Sequence, residues 1–284
     1  IVNLHWINGG TLSIFDISKI ESKIVWTFHD MWPVCSTEHY SSFNYYKNGY
    51  LNYEVNLLNK LVWKFKTNFF SKVDINVVCP SIWLCKIANS SQLFRKNKIK
   101  YIPYVLNANK WKILKKSKIK KKFGIENDEK IIIFGSERAE TIKRKNFNFL
   151  LNALKYIEKK YKKINIFVFG SGEKRIEIYS KNVTIYFFGH IFNKKYLNEI
   201  YSAGELIAVP SVQEAFGLVA AEAMLCGTPC VAFENTGLSD IVDHKVNGYL
   251  AKYLNCQDYA NGIDWVLKNK SFEKIEKKAR ISIK

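Results

Sequence analysis

Between residues 130 and 233, short runs of β-branched and aromatic residues alternate with stretches of helical length, and this alternation constrains the fold more than any other feature. Strand followed by helix followed by strand is the pattern of βαβ units, which close as a parallel sheet with crossover helices. Strands are expected at 131–134, 164–169, 183–187, 206–209 (stopped by Pro210) and 230–233. Helices are expected at 147–161, where Leu150, Leu151, Leu154 and Ile157 share a face, near 194–203, and at 215–226, closed by Gly227. The first part repeats the theme, with strands at 2–6, 24–28, 74–78 and 100–102 and a long helix around 51–70. The fold class is therefore α/β: two Rossmann-like lobes at 1–108 and 130–284, joined by a Lys-rich linker at 109–129, with the last helix returning to the first lobe. The chain opens inside an expected strand without a leading Met, so the N-terminal lobe is expected to be incomplete.

An apolar fraction of 48% over 284 residues supports two cores and argues against intrinsic disorder. No stretch approaches the roughly 20 apolar residues of a membrane-spanning helix, and no signal-peptide pattern opens the chain, so a soluble cytoplasmic protein is expected. The six cysteines form no paired C-x-x-C set and read as free thiols, not as zinc ligands or disulfides. The formal charge is +19, and the runs KWKILKKSKIKKK at 110–122 and KKYKK at 159–163 would attract an anionic surface. Neither run belongs to a nucleic-acid motif, and the aromatic residues are not spaced as a stacking platform. An anionic membrane surface, or a plain solvated face, is expected ahead of nucleic acid.

Residues 210–224, PSVQEAFGLVAAEAM, follow a strand and open a helix. In an open α/β sheet, ligands sit beyond the carboxyl ends of the strands, where a helix N-terminus offers unpaired N–H groups and a positive dipole to a diphosphate. Gly217 lets the backbone approach closely. Glu214 precedes the helix and Glu222 lies inside it, which at about 1.5 Å per residue separates the carboxylates by on the order of 10 Å. That spacing suits two hydroxyl-rich groups flanking a diphosphate. On spacing alone an equal structural reading stands, with Glu214 aiding the cap and Glu222 a solvated helix residue.

With seven residues between them, Glu214 and Glu222 form an E-x7-E motif. PSVQEAFGLVAAEAMLCGTPCVAF and the later TGLSDIVDHKVNGYLA resemble the donor-site helix, strand and loop of the retaining GT-B glycosyltransferases of family 4. The resemblance runs from about residue 6 to residue 259. It implies a GT-B fold with the donor site in the cleft between lobes, and a UDP- or GDP-sugar as donor. It also implies retention at the anomeric carbon, with no metal ion and no other cofactor. By resemblance Glu214 contacts the transferred sugar, Phe216, Gly217 and Leu218 meet the phosphates and sugar edge, and Glu222 binds the ribose. FGSER at 134–138 and KRKNF at 143–147 occupy the place where the family carries an Arg and a Lys, the Lys usually followed by Gly. Developing charge on a leaving diphosphate requires a cation there. Lys145 is the candidate, Arg138 and Arg144 compete for the Arg, Gly135 lies beside them, and Asn146 replaces the usual Gly. Gly170-Ser171-Gly172 resembles the family's G-x-G loop near the nucleotide.

WTFHDMWP at 26–33 resembles the T-x-H-D-M-W segment of a subgroup that builds bacterial surface polysaccharides, including lipopolysaccharide. The resemblance implies that His29 orients an acceptor hydroxyl or contacts the donor sugar. Three positions depart from the family. The Gly-rich continuation reads Cys35-Ser36-Thr37-Glu38 before His39-Tyr40, Tyr104 stands where Asn usually follows Pro, and Gly204-Glu205 replaces Ala-Asp. The reading is transfer of a sugar to a hydroxyl of a saccharide or lipid-linked saccharide. Two others fit the sequence: an inactive, truncated relative that binds nucleotide only, and a basic nucleic-acid-binding protein with steep salt dependence.

Overall fold

A parallel strand pair needs a crossover connection, and the helices that supply it cover the sheet. The computed structural model describes residues 1–138, 140–170, 172–269 and 271–283. They divide into two units, residues 1–104 with 214–216, and residues 105–213 with 217–284.

The first unit holds a four-stranded parallel sheet of β1 (Val2–Leu4), β2 (Ile24–Thr27), β3 (Ile75–Cys79) and β4 (Ile99–Tyr101), in that spatial order. Its helices are α1 (Ile14–Ile17), α2 (Tyr45–Asn48), α3 (Leu57–Phe70) and α4 (Ile82–Ser90). α3 starts six residues later than expected because Asn56 caps it, its side chain accepting from the Asn59 N–H. Asn59, Trp63, Lys66 and Phe70 face inward along α3. The rings of Trp26, Phe28, Phe70 and Phe94 meet edge-on or tilted at centroid distances of 5.1–6.2 Å and anchor the core.

The second unit holds seven strands: β5 (Lys130–Gly135), β6 (Ile164–Phe169), β7 (Arg175–Ser180), β8 (Val183–Phe187), β9 (Leu206–Val209), β10 (Cys230–Phe233) and β11 (Gly248–Ala251). Their order is β11-β10-β9-β5-β6-β8-β7, parallel except for β7, which pairs antiparallel with β8. The helices are α5 (Lys116–Lys122), α6 (Phe147–Leu154), α7 (Lys194–Ala203), α8 (Leu218–Leu225), α9 (Cys256–Lys268) and α10 (Phe272–Ser282). The expected helix at 147–161 ends at Leu154 and gives way to a 3-10 turn at Glu158–Lys160. No helix among the described residues is long and apolar enough to cross a membrane.

Two expectations about organisation change. The Lys-rich segment at 109–129 is not a polar linker but part of the second unit, because α5 turns Ile119 and Lys120 inward. Lys120 Nζ pairs with Glu205 at 2.8 Å, side chains 3% and 10% exposed, and also donates to the carbonyls of Asn127 and Glu129. Glu205 in turn accepts from the Ile131 N–H at 2.6 Å, so the acid that replaces the family's Asp ties α5 to β5. The last helix also belongs to the second unit, where Arg280 donates to the carbonyls of Ala108, Trp111 and Leu225.

Removing one partner of a buried pair strands the other charge. Lys120→Met is expected to destabilise the protein by about 3–5 kcal/mol, and Lys120→Met with Glu205→Met by less, both read by urea unfolding. A double variant no more stable than the single one would contradict this account of the pair.

Candidate functional site

In the second unit the candidate residues stand where β5, β6 and β9 end. β9 stops before Pro210, and Gly217 adopts φ 94, ψ 54 as the N-cap of α8. That left-handed conformation is open to glycine at no steric cost. The helix therefore starts at Leu218, not at 215, and Ala215 and Phe216 lie in the preceding loop. The per-residue rise cannot be applied between Glu214 and Glu222, and their estimated separation falls away. Glu214 is not the cap of α8 either.

Five of the eight α8 residues, Ala220, Ala221, Ala223, Met224 and Leu225, are buried. Glu222 is the one carboxylate on this apolar helix. It is half-buried rather than solvated, and its Oε2 accepts from the Tyr201 hydroxyl at 3.0 Å. Burial raises the Glu222 pKa above the ordinary carboxylate value, opposed by the Tyr201 bond and by the charge of Lys194. A half-desolvated carboxylate held by one phenol is arranged to accept from hydroxyl groups.

The β5–α6 connection carries the cations. Lys143–Lys145 forms a 3-10 turn, and Asn146 caps α6 in the left-handed region at φ 59, ψ 43. Asn is the non-glycine residue that most readily takes this conformation, so the replacement of the family's Gly keeps the backbone path. Arg144 is half-buried. Its guanidinium donates to the Gln213 carbonyl at 2.6 Å, and its own carbonyl accepts from the Val212 N–H at 3.0 Å. Arg138 is exposed at φ 49, and its carbonyl accepts from the N–H groups of Thr141 and Ile142.

Gly135 and Gly170 are needed for packing. A Cβ on Gly135 would lie 2.4 Å from the Phe169 ring and 2.7 Å from Val219 Cγ1. A Cβ on Gly170, at φ 102, would lie 2.7 Å from the Ser136 carbonyl oxygen. Of the expected G-x-G loop, Ser171 lies outside the described residues. A groove of this unit, about 750 Å³, is lined by 110, 112–115, 118–119, 194–195 and 198–199, and includes none of the candidate residues.

In the first unit the polar residues again gather past the strand ends. His5 follows β1, His29 follows β2 and Tyr104 follows β4. His5 Nδ1 lies 3.0 Å from His29 Nε2, and His29 Nδ1 is hydrogen-bonded to the Tyr104 hydroxyl. Burial lowers the His29 pKa, with His5 adding to the effect and Asp30 opposing it. Asp30 accepts from the Trp32 N–H at 2.8 Å and pairs with His39 Nδ1 at 2.7 Å. Behind them Lys66 is fully buried, donating to the carbonyls of Trp32, Cys35 and Ser36 at 2.5–2.9 Å and lying 3.5 Å from the centre of the Trp32 ring. Ala215 joins this unit's core, and Phe216 packs edge-on against Tyr104 with centroids 5.0 Å apart.

The structure thus places Gly135, Arg138, Arg144, Lys145, Gly170, Gly217, Leu218 and Glu222 in the second unit, and His29, Glu214 and Phe216 in the first. The sequence reading missed Tyr201, the partner of Glu222, and His5, which it placed inside a strand that in fact ends at Leu4. His5 lies one residue past the end of β1 and His29 two past the end of β2; with the first strand read through residue 6, nothing local singled His5 out.

Two α/β units built on parallel strands, with their candidate residues past the strand ends, have the GT-B fold. Residues 92–282 match glycosyl transferases group 1, and the chain belongs to that family. An uncharacterized glycosyltransferase of Methanocaldococcus jannaschii is 30% identical over 201 residues, 66% of this chain and 49% of that protein. The chain thus spans about half the length of this curated relative. HepE of Anabaena, solved with UDP and glucose, has a TM-score of 0.64 at 20% identity, covering 92% of this chain and 66% of its own. WaaG, a glycosyltransferase involved in lipopolysaccharide biosynthesis, has a TM-score of 0.69 at 14% identity, covering 93% and 74%.

Proposed function

We propose that the protein transfers a sugar from a nucleotide sugar, UDP- or GDP-linked, to a hydroxyl of a saccharide or lipid-linked saccharide in surface polysaccharide synthesis, with retention at the anomeric carbon. The observation that carries this reading is Glu222, a half-buried carboxylate inside an apolar helix whose N-terminus follows a left-handed glycine. The acceptor hydroxyl oxygen forms a bond to the anomeric carbon as the bond from that carbon to the diphosphate breaks; the electron pair of the broken bond leaves with the diphosphate, whose oxygen takes the hydroxyl proton. Amides at Gly217 and Leu218, the α8 dipole and the Lys145 and Arg138 cations stabilise that charge without a metal ion. Arg144 holds the Val212–Gln213 turn for them. Glu222 accepts from the ribose; the roles of Glu214 and Phe216 toward the transferred sugar, and of His29 toward an acceptor hydroxyl or the donor sugar, are supported by the family resemblance. HepE's complex with UDP and glucose supports a uridine donor, and WaaG's role supports a surface polysaccharide product.

Calorimetric titration with UDP and GDP tests the donor site. One nucleotide is expected to bind equally with and without EDTA, and Glu222→Ala and Lys145→Ala are each expected to weaken it by about tenfold or more. Protonation converts an acceptor oxygen of Glu222 into a donor. Affinity should therefore fall with pH as the raised Glu222 pKa is crossed, at a higher pH than an ordinary carboxylate would give. Full affinity in Glu222→Ala would contradict the assignment.

We also propose peripheral association with an anionic leaflet, where a lipid-linked acceptor resides. The 110–122 run is weaker support than its sequence implied, since Lys116 and Lys120 are engaged inside the second unit. α3 offers more. Leu57, Leu58, Leu61 and Phe65 are 45–72% exposed on its outer face, with Lys60 and Lys64 beside them. Leu61→Ser with Phe65→Ser is expected to abolish co-flotation with phosphatidylglycerol vesicles at unchanged melting temperature. Undiminished flotation would rule out this face.

A further inference from the structure

All six cysteines are free thiols, and two of them meet at the turn from β3 to α4 in the first unit. Cys79 ends β3, Pro80 follows, and Ser81 caps α4, its side chain accepting from the Leu84 N–H at 3.1 Å. The cap sets the first turn of the helix, where the Cys85 N–H donates to the Ser81 carbonyl at 3.0 Å. The turn brings the two side chains together, and the Cys79 thiol donates a hydrogen bond to the Cys85 sulfur. That bond, with burial, raises the Cys79 pKa far above the ordinary thiol value and keeps Cys79 protonated. Cys79 is fully buried, whereas Cys85 is partly exposed. The pair is therefore asymmetric. An accessible sulfur, in a helix first turn that favours a thiolate, is backed by an inaccessible thiol already in contact with it.

The same turn lies between two residues of the polar cluster past the strand ends. The Val78 carbonyl accepts from the Phe28 N–H at 2.9 Å, immediately before His29. The Cys79 carbonyl accepts from the Ile102 N–H at 3.0 Å, two residues before Tyr104. His29 and Tyr104 are hydrogen-bonded to each other. A backbone adjustment at Cys79 is transmitted to both.

We propose that Cys79 and Cys85 are a reversible redox modification site, closed to a disulfide by a small-molecule disulfide of the glutathione type, and that closure shifts the His29–Tyr104 pair. The Cys85 thiolate attacks one sulfur of the oxidant, whose S–S bond breaks. The first oxidant half leaves with the electron pair of that bond and takes up the proton that Cys85 released. The Cys79 sulfur then attacks the Cys85 sulfur, and the second oxidant half leaves with its electron pair and takes the Cys79 proton. Two protein thiols are oxidised to one disulfide, and one oxidant disulfide is reduced to two thiols. The same exchange in reverse reopens the site, and the free thiols read from the sequence are its reduced form.

Mass spectrometry of the full chain, in a glutathione buffer stepped from reduced to oxidised, tests the site without any substitution. The tryptic peptide 73–86, VDINVVCPSIWLCK, is expected to become lighter by two hydrogens and closed to iodoacetamide, and to recover with dithiothreitol. Cys79→Ala is expected to trap glutathione on Cys85, and Cys85→Ala to leave Cys79 unmodified. Glutathione retained on Cys85 of the parent, or both thiols still alkylated at the oxidised end, overturns the proposal. In proton–nitrogen correlation spectra, the His29 ring signals of the parent are expected to move on oxidation and those of Cys85→Ala to stay in place. His29 signals that do not move in the fully closed parent overturn the coupling.

Discussion

Two hydrogen bonds between the β5–α6 and β9–α8 connections organise the second unit's candidate residues. The Arg144 guanidinium holds the Gln213 carbonyl, and the Arg144 carbonyl holds the Val212 N–H. Because they run in opposite directions between the same short segments, they fix both the spacing and the orientation of the two loops. Lys145 follows directly on one side, and the left-handed Gly217 that opens α8 follows four residues on along the other. A charge-assisted bond to a carbonyl is worth about 1.5–3 kcal/mol, enough to hold one loop geometry against thermal alternatives.

Cations are used the same way elsewhere in this chain. Lys66 is wrapped by three carbonyls, Lys116 by two, Lys120 by two carbonyls and a carboxylate, and Arg280 by three carbonyls. These charges close helix ends and turns from inside, so the +19 total overstates the charge presented to solvent. Nucleic-acid binding driven by net charge loses part of its footing, because the richest lysine run is partly internal.

The legible parts of the fold were those where local pattern and tertiary burial agree. β6, β8, β9 and β10 match their expected bounds because both faces of these strands are covered, which leaves continuous apolar runs. β7 was not legible: Arg175, Glu177 and Tyr179 alternate along an edge strand whose residues remain largely outside the core. β11 opens on Gly248, required because a Cβ would lie 2.2 Å from the Cys230 carbonyl oxygen, and a glycine reads as a turn. α5 read as a solvated linker because nothing local tells a buried lysine from an exposed one; Glu205, 85 residues beyond Lys120, decides it. The site shows the same division. The E-x7-E spacing, Lys145 and His29 were visible in short motifs, whereas Tyr201 beside Glu222 and His5 beside His29 are partners that only the folded chain brings together.

The central claim is that the α8 N-terminus, Lys145 and Glu222 form one nucleotide diphosphate site. A crystal structure of the full chain soaked with UDP tests it most directly. The account predicts the diphosphate at the Gly217 and Leu218 amides within reach of Lys145, and the ribose hydroxyls on Glu222. UDP bound instead in the lysine-lined groove between α5 and α7, with Glu222 still held only by Tyr201, would contradict it.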